Sequence, residues 1–277
     1  MPAPGAPPAK RNRAGAARRQ QRTAPARAPT VSATYALPAP ATLLWLLATT
    51  LLIGLAASGV VQRITWYLAV DQYGYLAFAH DLMRGHVFHH WAPLDVLAAH
   101  IPAQVDVLSQ TYIYDHGRLY CRYAPGFSIM LAGWLLLFGD DGAHYLNPTV
   151  YLTLLVLLLL FQRRLFRSRW RATVGVALTI LCPSYLHLWG TTLVRDLSTH
   201  LMGLTGLFLL LPAGRRLGPG RLLAAGLTLG YAGSIRPDSV IYTVPALLIV
   251  TLRWRRERAA WPGIWRGLGA GALGLLL

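Results

Sequence analysis

The sequence predicts an all-α, polytopic membrane protein of about seven transmembrane helices, with a large first extracytoplasmic loop that contains interfacial helices. Three observations lead there. The 277 residues are 55% hydrophobic and only 13% charged, too apolar a balance for a water-soluble domain. The basic residues, all arginine except Lys10, come mostly in bursts over 10–27, 163–171, 215–221 and 253–258, each beside an apolar run. Nine of the ten acidic residues fall in the segments between those bursts. Such alternation is the positive-inside pattern. The net charge of +16 is therefore a signal of topology, and no nucleic-acid partner is expected.

Residues 1–37, rich in Ala, Pro and Arg without apolar periodicity, read as a disordered basic cytoplasmic arm. Residues 38–277 read as one transmembrane module that stops within an apolar run, as either a C-terminally incomplete fragment or a minimal module would. Its predicted spans are 41–61, 144–161, 172–190, 193–211, 222–235, 239–252 and 261–277. The first follows too long an arm for a signal peptide and reads as a retained helix. The fifth and sixth fall short of the roughly 20 residues of a full crossing. The run 125–138 is also apolar, but counting it as a span would place the 163–171 arginines outside. It is therefore assigned as an interfacial or re-entrant helix.

With a cytoplasmic N-terminus, the first, third and fifth crossings all exit on the outer side. They deliver Asp71, then Arg195 and Asp196, then Arg236 and Asp238. Residues 62–143 become one external loop, too long for a plain connector. Within it, Asp71 begins an amphipathic helix that Gly85 is placed to terminate.

A carboxylate at a helix N-terminus is held ionised, as a base or metal ligand requires, although Asp there is often only a cap. Arg122 and Arg236 present the planar fork that suits phosphate oxygens; the commoner role for such arginines is anchoring at lipid headgroups. Tyr112, Tyr114, Tyr120 and Tyr123 are suited to stack on a sugar, yet Tyr is frequent wherever membrane meets water. His86, His89 and His90 have i, i+3, i+4 spacing, but Gly85 weakens a helix there and zinc wants a further ligand. Polar interfacial residues are the default reading of that cluster. Cys121 and Cys182 form no disulfide framework.

The order of motifs is distinctive. Asp71, a helix closing in Arg84-Gly85, a polar stretch, Tyr123-Ala124-Pro125-Gly126 and then Phe138-Gly139 resembles the membrane-embedded C-type glycosyltransferases. The protein O-mannosyltransferases and aminoarabinose transferases are the groups in mind. The similarity spans roughly 41–277 and is most specific in those two segments. Cys182-Pro183, Arg195-Asp196 and Arg236-Pro237 are weaker echoes. Where that family commonly has Asp-Glu, this chain has Asp71-Gln72, and members commonly continue beyond seven helices.

The resemblance implies an inverting transferase at the plasma membrane. It would move a sugar from a polyprenyl-phosphate donor to a hydroxyl of a glycan, lipid or protein acceptor outside the cytoplasm. Asp71 would be the base and Asp196 would position the acceptor or a divalent ion, the one cofactor left open. Arg122, Tyr123, Arg195, Arg236 and Tyr75 would line the donor site. The absence of a Gly-rich phosphate loop agrees with a lipid-borne donor. The competing readings are a transporter or lipid flippase, for which repeats and mid-membrane polar groups are expected, and a truncated, noncatalytic membrane protein.

Overall fold

The computed structural model describes residues 40–61, 70–89, 112–115, 118–182, 191–211, 217–257, 269 and 273–274. The basic arm, the loop around Asp95 and Asp106, His90, residues 183–190 and nearly all of the 261–277 run lie outside the described residues. In chain order come α1 (Pro40–Val61), α2 (Val70–Met83), β1 (Tyr112–Asp115), β2 (Arg118–Cys121) and α3 (Gly126–Phe138). A 3-10 turn, Asp140–Gly142, leads into α4 (Ala143–Phe166), α5 (Arg169–Leu181), α6 (Asp196–Leu210) and α7 (Pro219–Ile235). A second 3-10 turn, Pro237–Tyr242, precedes α8 (Thr243–Glu257). The described residues are mostly helical.

Two segments, Pro40–Val60 and Asp140–Phe166, are long and apolar enough to cross a membrane. On α1, Leu43, Leu44, Leu47, Leu51 and Leu55 are all exposed, an apolar surface that water penalises and lipid accepts. The later helices are shorter: α5 has 13 residues, α6 has 15, α7 has 17 and α8 has 15. The expected 239–252 span begins instead as the 3-10 turn, because Pro237 and Pro245 bracket a stretch where a regular helix cannot be entered smoothly.

Side-chain anchors fix how the helices run. Asn147, near the start of α4, donates to the carbonyls of Thr192 (2.6 Å) and Val194 (2.8 Å), just before α6. At the other end, Arg164 donates to the carbonyls of Phe208 and Leu211. Helices α4 and α6 are therefore parallel. Arg221, at the start of α7, reaches the carbonyl of Leu209 (2.6 Å), so α7 runs antiparallel to α6. Trp45 of α1 donates to Thr173 Oγ1 (2.9 Å) and lies under the guanidinium groups of Arg163 and Arg169. One end of the bundle thus gathers Arg163, Arg164, Arg169 and Arg221. The opposite end carries Asp196 and Arg236.

Helix α3 lies across that second end and not through the bundle. Its first residue packs on the last turn of α7, where Tyr231 donates to the Gly126 carbonyl (2.8 Å). Its last residue is joined through the short Asp140–Gly142 turn to the first turn of α4, and Trp134 Nε1 donates to the Gly142 carbonyl (2.8 Å). Helix α2 lies alongside it, with Tyr75 against Phe127 near one end and His80 Nε2 3.5 Å from Asp140 near the other. Gly85 follows α2 at φ +79, a left-handed conformation that glycine enters at little cost.

Two expectations need correction. The described residues include strands, so the fold is not wholly α: β1 and β2 pair antiparallel, Tyr112 opposite Cys121 and Asp115 opposite Arg118. Alternating Tyr and Ile, both at home in strands, favour this. Nor is α2 cleanly amphipathic. Gln72 and Asp81 are buried while Tyr73 is 56% exposed, because α3 and the hairpin cover polar positions of α2.

Candidate active site

Asp71 lies in the first turn of α2, one residue inside the helix and not at its cap. Its carboxylate is exposed, and Oδ1 accepts a hydrogen bond from the Tyr123 hydroxyl. Tyr123 is held by the turn between β2 and α3, its ring 5.0 Å from that of Tyr75. Tyr75 stacks edge-on against Phe127 in turn, also at 5.0 Å. The Arg195 guanidinium carbon sits 5.0 Å from the Tyr123 ring centre. A cation over an aromatic face is favoured electrostatically.

Asp196 continues directly from Arg195 into the first turn of α6, and its carboxylate accepts from Arg236. Arg236 also grips Asp238, with Nε at 2.9 Å from Oδ1 and a second nitrogen at 2.7 Å from Oδ2. The residue before Pro237 is extended, as expected ahead of proline. That conformation turns Arg236 back between the two carboxylates. Three stretches distant in sequence therefore meet: 71–75, 123 and 195–196 directly, with 236–238 joined through Asp196.

The electrostatics follow from this packing. Desolvation, and then the hydrogen bond to the Asp71 carboxylate, push the Tyr123 hydroxyl up to about 12. Burial raises Tyr75 as well; Arg195 opposes the shift and Asp71 adds to it. Desolvation works against the charged form of Arg236, but the Asp238 and Asp196 carboxylates outweigh it and the net shift is upward. Both phenols are held neutral, and Tyr123 donates a hydrogen bond to Asp71. Asp71 Oδ2 has no hydrogen-bond partner among the described residues, which leaves half of the exposed carboxylate open to solvent.

The anticipated residues divide clearly. Asp71, Tyr75, Tyr123, Arg195 and Asp196 come together. Arg236 joins them, but its charge is already matched by two carboxylates, so it is a brace for Asp196 more than a receptor for phosphate. Arg195 makes no carboxylate pair among the described residues and is the better placed cation. Arg122 is exposed beside Tyr123 and makes no hydrogen bond or ion pair with described residues. Among the described residues, no group of three His, Cys, Asp or Glu side chains is placed to share an ion.

Sequence reasoning missed three participants. Asp238 was read only as an exit residue, and its i+2 spacing from Arg236 was the available signal. His200 follows Asp196 by one helical turn and is hydrogen-bonded to the Tyr242 hydroxyl at 2.5 Å. His89 pairs with the buried carboxylate of Asp81, its Nδ1 3.1 Å from both oxygens. His89 also bridges Leu119 of the hairpin through two backbone hydrogen bonds. That imidazole fastens the hairpin to α2.

Comparison with protein-family models, curated proteins and solved structures finds no match. The arrangement of these side chains is therefore what a functional reading has to rest on.

Proposed function

We propose that this chain is an inverting glycosyltransferase of the plasma membrane, taking a sugar from a polyprenyl-phosphate donor and placing it on an acceptor hydroxyl outside the cytoplasm. One observation carries the reading: Asp71, a carboxylate with one oxygen anchored and the other open among the described residues, shares the Tyr123 side chain with Arg195, a cation that makes no carboxylate pair among those residues. Displacement at an anomeric carbon needs a base on one side and a counter-charge for the departing phosphate on the other.

In this reading Asp71 Oδ2 accepts the proton of the acceptor hydroxyl. That oxygen forms the new bond to the anomeric carbon while the bond to the lipid phosphate breaks. The electron pair leaves with the phosphate, which meets Arg195. Attack from the face opposite the leaving group inverts the anomeric carbon. Tyr123 holds Asp71 in place, Tyr75 supports Tyr123, and Asp196, steadied by Arg236, positions the acceptor. General-base assistance of this kind is worth about 10²- to 10⁴-fold in rate.

The wider topology belongs to the same proposal. Seven crossings, a cytoplasmic N-terminus and the 62–143 segment outside would set the arginine-rich end of the bundle in the cytoplasm and the Asp196 end outside. The separation of Arg163, Arg164 and Arg221 from Asp196 and Asp238 supports that orientation. Helices α2 and α3 would lie in the interface over the bundle, where a lipid-borne phosphate resides.

The test is transfer from a labelled polyprenyl-phosphate sugar in membranes carrying the full chain. Wild type should transfer label, and Asp71→Asn should lose at least about 10²-fold while inserting normally. An Asp71→Asn protein with undiminished turnover removes Asp71 from the chemistry. A wild-type protein inert with every hexosyl and pentosyl donor overturns the assignment.

A further inference from the structure

The end of the bundle away from Asp196 holds a pair of cations whose charge the described residues do not balance. Arg164, in the last turn of α4, donates through Nη1 to the carbonyls of Phe208 and Leu211, each at 3.2 Å. Arg221, in the first turn of α7, donates through Nη2 to the carbonyls of Leu209 (2.6 Å) and Leu211 (3.4 Å). Two guanidinium groups from different helices thus converge on one oxygen, that of Leu211. Neither makes a carboxylate pair among the described residues, and their remaining guanidinium nitrogens make no hydrogen bond there.

The balance of charge calls for an anion. The carbonyl end of a helix such as α6 is worth roughly half a negative charge, set here against two full positive ones. The unused donors of two planar forks suit phosphate oxygens. Arg164 is also held in place by the Phe208 ring, whose centre is 3.6 Å from the guanidinium carbon. The surface leading up to the pair is apolar. Residues four apart share a helix face, and on α4 Val156, Leu160 and Arg164 are spaced in this way and all exposed. A hydrocarbon-like strip therefore ends at the two cations.

We infer that Arg164 and Arg221 bind the phosphate of an anionic phospholipid, with an acyl chain of that lipid lying along Leu160 and Val156. The order of the surface selects this occupant. A soluble phosphate would use the cations and leave the strip bare, and a neutral lipid would use the strip and leave the cations unmatched. An anionic phospholipid supplies negative charge and hydrocarbon in the sequence in which the surface changes. The site lies at the opposite end of the bundle from Asp196, is independent of sugar transfer, and requires only that α4 sits in lipid.

The test is native mass spectrometry of the full chain in detergent micelles, titrated with phosphatidylglycerol, with phosphatidylcholine of the same acyl chains, or with a polyprenyl phosphate. Phosphatidylglycerol should bind most tightly, and inorganic phosphate should not displace it. Arg164→Gln and Arg221→Gln should each weaken phosphatidylglycerol binding about 5-fold, the worth of one basic side chain at an anionic lipid surface, and leave phosphatidylcholine unchanged. Arg169→Gln combined with Arg171→Gln, which takes two charges from α5 at the same end, should change neither. On the unmutated chain, phosphatidylglycerol with a photoreactive diazirine on one acyl chain should crosslink to the peptide containing Val156 and Leu160. Equal affinity for the two phospholipids, an equal loss in the α5 double variant, or crosslinks confined to α1 overturns the inference. Tighter binding of the polyprenyl phosphate, or displacement by inorganic phosphate, assigns the cations to a different anion and overturns it as well.

Discussion

The Tyr123 hydroxyl donates to Oδ1 of Asp71 across 52 positions of sequence, tying the turn before α3 to the first turn of α2. This bond holds an exposed carboxylate against the same Tyr123 side chain that Arg195 covers, and it adds to the upward shift of the Tyr123 hydroxyl.

Asp71→Asn should therefore lower the Tyr123 pKa from about 12 toward, though not fully to, the ordinary value of 10.0, since desolvation is the larger cause and remains. Because the folded value lies above the unfolded one, the neutral phenol contributes stability that is complete below pH 10 and lost as pH rises through about 12. Ultraviolet titration of tyrosinate, comparing wild type with Asp71→Asn and Tyr123→Phe, measures the shift. An unchanged Tyr123 titration in Asp71→Asn would show that the bond is not made in solution.

Asp81→Ala should loosen the hairpin. It removes both acceptors of His89 Nδ1 from a site where the carboxylate side chain is 6% exposed, at a cost of about 2–3 kcal/mol. Hydrogen exchange should report faster loss of protection at the amides of His89 and Leu119, with α4 to α6 unaffected. Uniform change over the whole chain would contradict a local fastening role.

Gly126→Ala should separate α3 from α7. A Cβ at this position would come within 2.6 Å of the Ser234 carbonyl carbon and 2.7 Å of its oxygen, so backbone has to move. The predicted cost is roughly 1–3 kcal/mol, together with loss of the Tyr231 bond to the Gly126 carbonyl. Thermal melting in detergent, compared with Tyr231→Phe alone, separates the two effects.

Arg236→Lys keeps the charge but not the fork that spans Asp196 and Asp238. A double-mutant cycle with Asp196→Asn should give a coupling near 1 kcal/mol, modest because both groups retain solvent contact. A coupling of zero would mean the brace is absent in solution.

Part of this arrangement was legible in the sequence, because alternating charge and apolar runs put Asp71, Arg195, Asp196 and Arg236 at helix ends, where the structure has them. Tyr75 was reachable only through the motif resemblance, and Tyr123 stood out only as one of four loop tyrosines, since spacing alone gives no reason for an aromatic at 123 to find a carboxylate at 71. The pairing of Arg236 with two acids was not legible: it depends on the extended backbone before Pro237 and on α7 running antiparallel to α6. The hairpin escaped an all-helical reading because four-residue strands leave too short an alternation to stand out beside apolar helices. Asp81 with His89 was hidden for a related reason, as neither residue's burial follows from α2 taken alone.

The most direct test of the central claim, that the Asp71 and Asp196 regions share the outer face, is accessibility labelling of single cysteines in intact cells. Tyr73→Cys and Asp238→Cys, with Cys121 and Cys182 replaced by serine, should both react with an impermeant maleimide added outside. Arg167→Cys should react only after permeabilisation. Labelling of positions 73 and 238 from opposite sides of the membrane would contradict the account.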